Sequence, residues 1–418
     1  MKKLLSIFIL VAMLVGCTNA PAENATPEAT GETSEASRPN ETPEALKTET
    51  ELGIAHPLHF ADDYTIVPEE SRLVRKSYEV PAKMDEDHRI RYGRPLARGK
   101  IEAMIETIRE PNGGGPMDHL VTAVGYYDLE EKRFVPVADD TSEHVPLEPD
   151  SLFPVDGERM LYEDYSEDGV RYYLYTIADG SMKEILSHPH PDGDVYAYVP
   201  YTTATKIYLP EYTGNYSARM HIFDAKTGEE LETLEDTPIV RPWKDGLARG
   251  RLWEEEPMKS SNEWIVGDKT YHWLASEGKG LLELEVGSGG IYATSLDERS
   301  DDLAEDLTEE DKAMTRDHGI PIPLFMLKEI ESDKVLARTR RGWLNLSVSG
   351  PWVALWKTSD EVEPFYLLLP EKKEVVRIAR APGEFGLHLL SYERWGLLSF
   401  ISDTESERYT VHTIEEKK

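Results

Sequence analysis

RMHIFDAKTGEELETL, residues 219–234, reads as a short apolar strand, a polar turn and a second strand. The same build recurs as GYYDLEEKRFVPV from Gly125, YYLYTIADGSMKEIL from Tyr172, TYHWLASEGKGLLELEV from Thr270 and PFYLLLPEKKEVVRI from Pro364. Asp128, Thr176 and Asp224 occupy equivalent positions, 48 and 48 residues apart. Asp179-Gly180 and Thr227-Gly228 stand where a hairpin needs a residue tolerant of left-handed backbone. One hairpin in every unit of about 40 to 50 residues leaves room for four strands per unit, which is the pattern of a β-propeller. A pair of β-sandwiches would supply the strands but not the equal spacing. Hairpin endings near Leu129, Ile177, Ala225, Ala275, Ile330, Pro370 and His412 count seven blades, with six or eight allowed.

The expected fold is therefore all-β, a ring of four-stranded blades spanning 53–418. The strand RYTVHTI from Arg408 is expected to close the ring by pairing with the N-terminal region, because an open ring would expose sheet edges. One stretch breaks the pattern. Residues 300–319, SDDLAEDLTEEDKAMTRDHG, read as a helical insertion between two blades, with Leu303, Leu307 and Met314 as an apolar stripe. Ser300 and Thr308 are its candidate N-caps and Gly319 its stop. Residues 98–110 fit a strand or a short helix equally well.

Residues 1–16 join a Lys2-Lys3 start to an uncharged apolar run, too short for a comfortable membrane span but suited to a signal peptide. The run ends in Leu14-Val15-Gly16-Cys17, which resembles the lipobox of bacterial lipoproteins. That resemblance implies a diacylglycerol on the Cys17 thiol, cleavage after Gly16 and a further (palmitate-type) acyl chain on the new amino group. Two or three buried acyl chains hold a protein durably at a membrane. Cys17 is the chain's one cysteine, so no disulfide forms within it and stability must come from a large core. Residues 17–52 carry no aromatic and are rich in Thr, Glu, Ala, Pro and Ser. Such a stretch cannot bury enough surface to offset its ordering entropy and is expected to be a disordered, lipid-anchored tether.

The net charge is −33, or −35 once Lys2 and Lys3 leave with the signal. A field of that sign opposes nucleic acid and anionic lipid. Neither a phosphate-binding loop, a dinucleotide fingerprint nor a Gly-x-Ser-x-Gly elbow is present, and no cofactor is expected.

Residues 153–162, FPVDGERMLY, look like the repeat of TolB-like and WD40-like bacterial propellers, in which an aromatic and Pro-Asp-Gly precede an apolar strand. Here Val155 separates Pro154 from Asp156. The whole also resembles the YqgU-like propeller lipoproteins of Gram-positive bacteria. Both resemblances imply the fold and transfer no catalytic residue.

Three features are candidates for chemistry. In an extended chain His188, His190, Asp192 and Asp194 point to one side, and two imidazoles with two carboxylates form a metal-ligand set; the competing reading is a polar turn bent by its prolines and glycine. Eleven of the 21 tyrosines lie between Tyr162 and Tyr216, and those near turns, Tyr165, Tyr201 and Tyr212, are candidate ligand contacts. Most of the others are ordinary strand residues. Arginines cluster at 89, 91, 94 and 98 and again at 338, 340 and 341, where a guanidinium fork suits a carboxylate or phosphate, or simply pairs with the surplus acids.

The expected function is that of a non-catalytic binding or scaffold lipoprotein on the extracytoplasmic face of the cell membrane, with an envelope protein or a glycan as partner. The alternative is a carbohydrate-active hydrolase or lyase using loop carboxylates, for which 79 acids offer too many pairs to nominate two.

Overall fold

The computed structural model resolves the forty-odd-residue period into seven sheets. It describes residues 58–107, 121–138, 152–166, 169–189, 200–214, 217–237, 239–243, 246–254, 260–273, 279–287, 290–298, 300–340, 342–358, 363–380, 384, 387–390, 394–403 and 408–418. The ring belongs to a unit of 47–253 and 261–418; of a second unit, 1–46 with 254–260, only Glu254 and Ser260 are described.

Each blade is an antiparallel meander read from an inner to an outer strand. Blade 1 runs His88–Ala97, Lys100–Thr107, Val121–Asp128, Arg133–Ala138. Blade 2 runs Leu152–Pro154, Arg159–Ser166, Gly169–Thr176, Met182–His188, and blade 3 runs Tyr201–Thr202, Lys206–Gly214, Ser217–Asp224, Glu230–Leu234. Blade 4 uses Ile239–Trp243, Gly246–Glu254, Ser260–Val266 and Lys269–Trp273. Blade 5 is formed by Lys279–Gly287, Gly290–Asp297, Leu324–Glu329 and Lys334–Thr339, and blade 6 by Trp343–Ser349, Trp352–Thr358, Phe365–Leu369 and Glu374–Ile378. Blade 7 takes three strands in sequence, His388–Leu389, Trp395–Asp403 and Arg408–Glu416. Its fourth is Leu73–Pro81, antiparallel to the last from Leu73↔Glu416 to Pro81↔Arg408. The ring closes through its N-terminal strand, as the edge argument requires. Just upstream, His59–Phe60 adds a fifth strand to blade 5, and Thr65–Pro68 pairs in parallel with the outer strand of blade 6.

The 48-residue spacing has a plain structural meaning. Asp128, Thr176 and Asp224 are the last residues of the third strands of blades 1, 2 and 3, each leading into a tight turn. The side chain of Asp224 accepts from the amides of Lys226 and Thr227, and Gly228 takes φ 62° to finish the reversal. Gly180 does the same at φ 69°. These are the Asx-type turns that such residues favour.

The core is seven slabs, one per seam between neighbouring blades, and each buried cluster draws on two adjacent sheets. Val80, Ile90, Tyr127, Trp395 and Val411, for instance, fill the seam where blade 7 meets blade 1. A blade packed on both faces has no solvent face in its middle strands, so Phe365–Leu369 is buried at all five positions. Hydrophobic alternation is accordingly weak in the sequence.

Four expectations need correction. The helical insertion lies inside blade 5, between its second and third strands, rather than between blades. Its α-helix is only Glu309–His318; Thr308 is the cap, with a full capping box to Asp311, and Gly319 ends the helix at φ 66°. Ser300 caps no helix, because Leu303 takes φ 57° and separates a short 3-10 turn at Ala304–Asp306 from what precedes it. The stretch from Thr270 is a connection from blade 4 into blade 5, whose hairpin partner is upstream across Gly267-Asp268; Ala275 lies outside the described residues. His412 sits inside a strand, because the last hairpin of the ring is replaced by the closure pairing at Ser77↔His412. Residues 100–107 of the ambiguous stretch are a strand.

Candidate functional site

A four-stranded meander places its first and third reversals at one end and its second reversal, with the step to the next blade, at the other. In this ring the two ends differ. Connections on the first face are two to five residues long, such as 98–99, 129–132, 267–268 and 370–373. Connections on the opposite face include 108–120, 139–151, 189–200 and the insertion at 298–323. Long loops on a rigid frame are where binding residues concentrate. The long-loop face is therefore the candidate site.

Tyr165 and Tyr212 stand at the ends of the second strands of blades 2 and 3, and His188 ends the outer strand of blade 2. All three positions belong to the long-loop face. The His188 imidazole is buried, 6.0 Å from the ring of Tyr172, with Nδ1 3.2 Å from the carbonyl of Pro189. Its three companions in the metal set, His190, Asp192 and Asp194, lie outside the described residues, as do Tyr196, Tyr198 and Tyr216. Tyr201 does not join this group. It sits two residues before the tight turn at 203–205, at the other end of the ring. Most remaining tyrosines of the cluster, namely 162, 172, 175 and 208, are buried in the seams.

Tyr201 instead takes part in a contact that sequence reading missed. The Arg241 guanidinium of the blade 4 inner strand lies 4.5 Å over its ring, and Arg241 Nε is 3.6 Å from Glu285 on the inner strand of blade 5. Burial pushes the Tyr201 phenol pKa up. One side chain thus ties three blades at the wall of the central channel. Similar ties recur: Glu102 accepts from the amide of Leu152 at 3.0 Å, joining blade 1 to blade 2, while the hydroxyls of Thr202 and Ser349 donate to the carbonyls of Pro154 and Leu390.

The described arginines of both clusters have partners, most of them acids. Arg338 meets Asp302 at 3.4 Å, and buried Arg340 holds the insertion in place by donating to the carbonyls of Ser300 (2.7 Å) and Ile322 (3.2 Å). Arg341 lies outside the described residues. In the first cluster Arg98 meets Glu415 at 3.0 Å and Lys100 meets Asp128 at 2.8 Å. Arg94 covers the Phe153 ring at 4.6 Å, and Arg89 and Arg91 share the single carboxylate of Glu106. Among the described residues no group of three or more His, Cys, Asp or Glu side chains is arranged to hold a metal, and no helix is long and apolar enough to cross a membrane.

Seven four-stranded blades closed by an N-terminal strand define the chain as a seven-bladed β-propeller. No family model matches the sequence, and no curated protein matches it. Among solved structures, the β-propeller domain of the trilobed protease from Pyrococcus furiosus aligns with 80% of this chain and 96% of its own, at 11% identity and a TM-score of 0.46. An oligogalacturonate lyase in complex with manganese covers 84% of this chain and 97% of its own, at 12% identity and a TM-score of 0.44. An uncharacterised protein from Listeria monocytogenes covers 84% and 96%, at 10% identity and a TM-score of 0.39. The blade count rests on the chain's own strand pairing.

Proposed function

We propose that this propeller is a lipid-anchored, non-catalytic binding or scaffold module of the YqgU-like kind, held at the extracytoplasmic face of a membrane through Cys17. The observation that carries the binding role is the asymmetry of the ring: connections on one face are all two to five residues long, while the other carries the long ones, 108–120, 139–151, 189–200 and 298–323, among shorter turns. A rigid frame that varies only at one end is suited to presenting contacts. The anchoring half rests on the charged, apolar leader ending at Gly16-Cys17.

Cys17→Ala is expected to move the protein from the membrane pellet to the soluble or secreted fraction, since the thiol is the acceptor on which acylation begins. A mature form that still sediments with membranes after this change sinks the anchoring proposal.

The binding half predicts where a ligand contact falls. With a partner isolated from envelope extracts, Tyr165→Ala, Tyr212→Ala and His190→Ala on blades 2 and 3 should each weaken binding by about 1 to 3 kcal/mol. Lys372→Ala, in a tight turn of the opposite face where Lys372 meets Glu416 at 3.3 Å, should leave affinity unchanged. Equal affinity in all four variants, with folding intact, removes this part of the face from the reading.

A further inference from the structure

We propose that Arg89 and Arg91 form an oxyanion site at the long-loop end of the inner strand of blade 1, built on the buried carboxylate of Glu106. The two arginines are at i and i+2 of the inner strand of blade 1, so both side chains leave the same face of the sheet. Glu106 is directly opposite Arg89 in the neighbouring strand and only 2% exposed. Arg89 reaches one carboxylate oxygen through Nε and Nη2, both at 2.6 Å. Arg91 reaches the other through Nε at 2.9 Å, and its Nη2 lies 3.2 Å from the sulfur of Met104.

One acid therefore fixes two guanidiniums side by side, so that within this triad the cations outnumber the carboxylate that holds them. The arginine side chains are 39% and 34% exposed, while the carboxylate that orients them is 3% exposed. Among the described residues the Nη1 group of each arginine has no hydrogen-bond partner. Their free edges are donors already held in place, which lowers the ordering cost of receiving a carboxylate or phosphate. Neutralising Glu106 would need only one arginine.

This site deepens the binding-module reading by giving it a ligand class, an oxyanion-bearing molecule. Its test uses small anions and is independent of any envelope partner. The purified full chain is titrated calorimetrically with glucuronate, glucose 6-phosphate and glucose at low and high salt. At least one of the two anions is expected to bind, and which one does assigns carboxylate or phosphate as the source; neutral glucose does not bind. Arg91→Gln and Arg89→Gln should each weaken anion binding at least tenfold, with Arg91→Lys in between. Glu106→Gln should strengthen it severalfold by removing the competing negative charge, provided its thermal unfolding shows an intact ring; if that variant fails to fold, the arginine series decides. Absence of binding for both anions, or affinity unchanged in Arg89→Gln and Arg91→Gln, overturns the proposal. Loss of binding in those variants without loss of an envelope partner would retain the anion site and separate it from the partner's.

Discussion

Val80→Asp is expected to destabilise the ring by about 3 to 5 kcal/mol, a large part of the roughly 5 to 15 kcal/mol by which folded domains exceed their unfolded chains. Val80 belongs to the closure strand and is 1% exposed, packed with Ile90, Ile101, Trp395 and Val411 in the seam between the last blade and the first. An aspartate there buries a charge with no counter-charge and separates two sheets whose contact completes the circle. Val74, six residues earlier in the same strand, is 40% exposed. Val74→Asp keeps the backbone pairing and should cost within about 1 kcal/mol, repulsion from Glu415 opposite included. Urea unfolding followed by circular dichroism separates the two. If Val80→Asp unfolds at the same midpoint as Val74→Asp, Leu73–Pro81 is not the strand that holds the ring shut.

The second large effect concerns a buried ion pair. Lys357 Nζ lies 2.7 Å from Glu363 Oε1, with side-chain exposures of 1% and 6%. Lys357→Met alone removes the ammonium beside the buried Glu363 carboxylate and should cost about 3 kcal/mol. Arg380 lies close enough that Glu363 acts on it, which offsets part of the loss. Replacing both partners, Lys357→Met with Glu363→Leu, should recover most of that stability, because the desolvation cost disappears along with the attraction. The expected signature in unfolding experiments is thus a double variant more stable than the single. A double variant as unstable as Lys357→Met, or worse, would mean that the pair is held by more than its own charges.

Much of the fold was legible because turns are local. Asp179-Gly180 and Thr227-Gly228 announce themselves by the backbone geometry they permit, and their regular spacing reports the blade repeat. The same logic placed Thr308 and Gly319 at the ends of the insertion's helix. It failed where a local signal had two tertiary solutions. The stretch from Thr270 has the strand–turn–strand pattern whether its two strands pair or belong to neighbouring blades, and only the register Val266↔Lys269 shows that the pairing is upstream. The insertion was read as a spacer between blades because nothing local distinguishes a loop inside a blade from one between blades.

The candidate site was less legible. Arg89 and Arg91 were visible as a cluster, but Glu106 is 15 residues further on from Arg91 and one acid among 79. Strand register alone singles it out. The Tyr201–Arg241–Glu285 contact joins residues 40 and 44 apart along the chain, brought together only by the inner strands of three blades. Tyr201 looked equivalent to Tyr165 and Tyr212 because all three are near turns. An antiparallel strand, however, ends at one face or the other according to its place in the meander, and that place is not encoded near the tyrosine.

By itself the sequence determined the class of fold and pointed to about seven repeats and to closure by an N-terminal strand, since periodic turns, strand composition and the cost of open sheet edges are properties of short segments and of chain length; the count of seven, rather than six or eight, was fixed by the strand pairing. The tertiary structure alone decided which acid orients which arginine, which tyrosines share a face and where the insertion rides. Those depend on register and on the circular order of blades, and a one-residue slip in register would turn each of those side chains to the other side of its sheet.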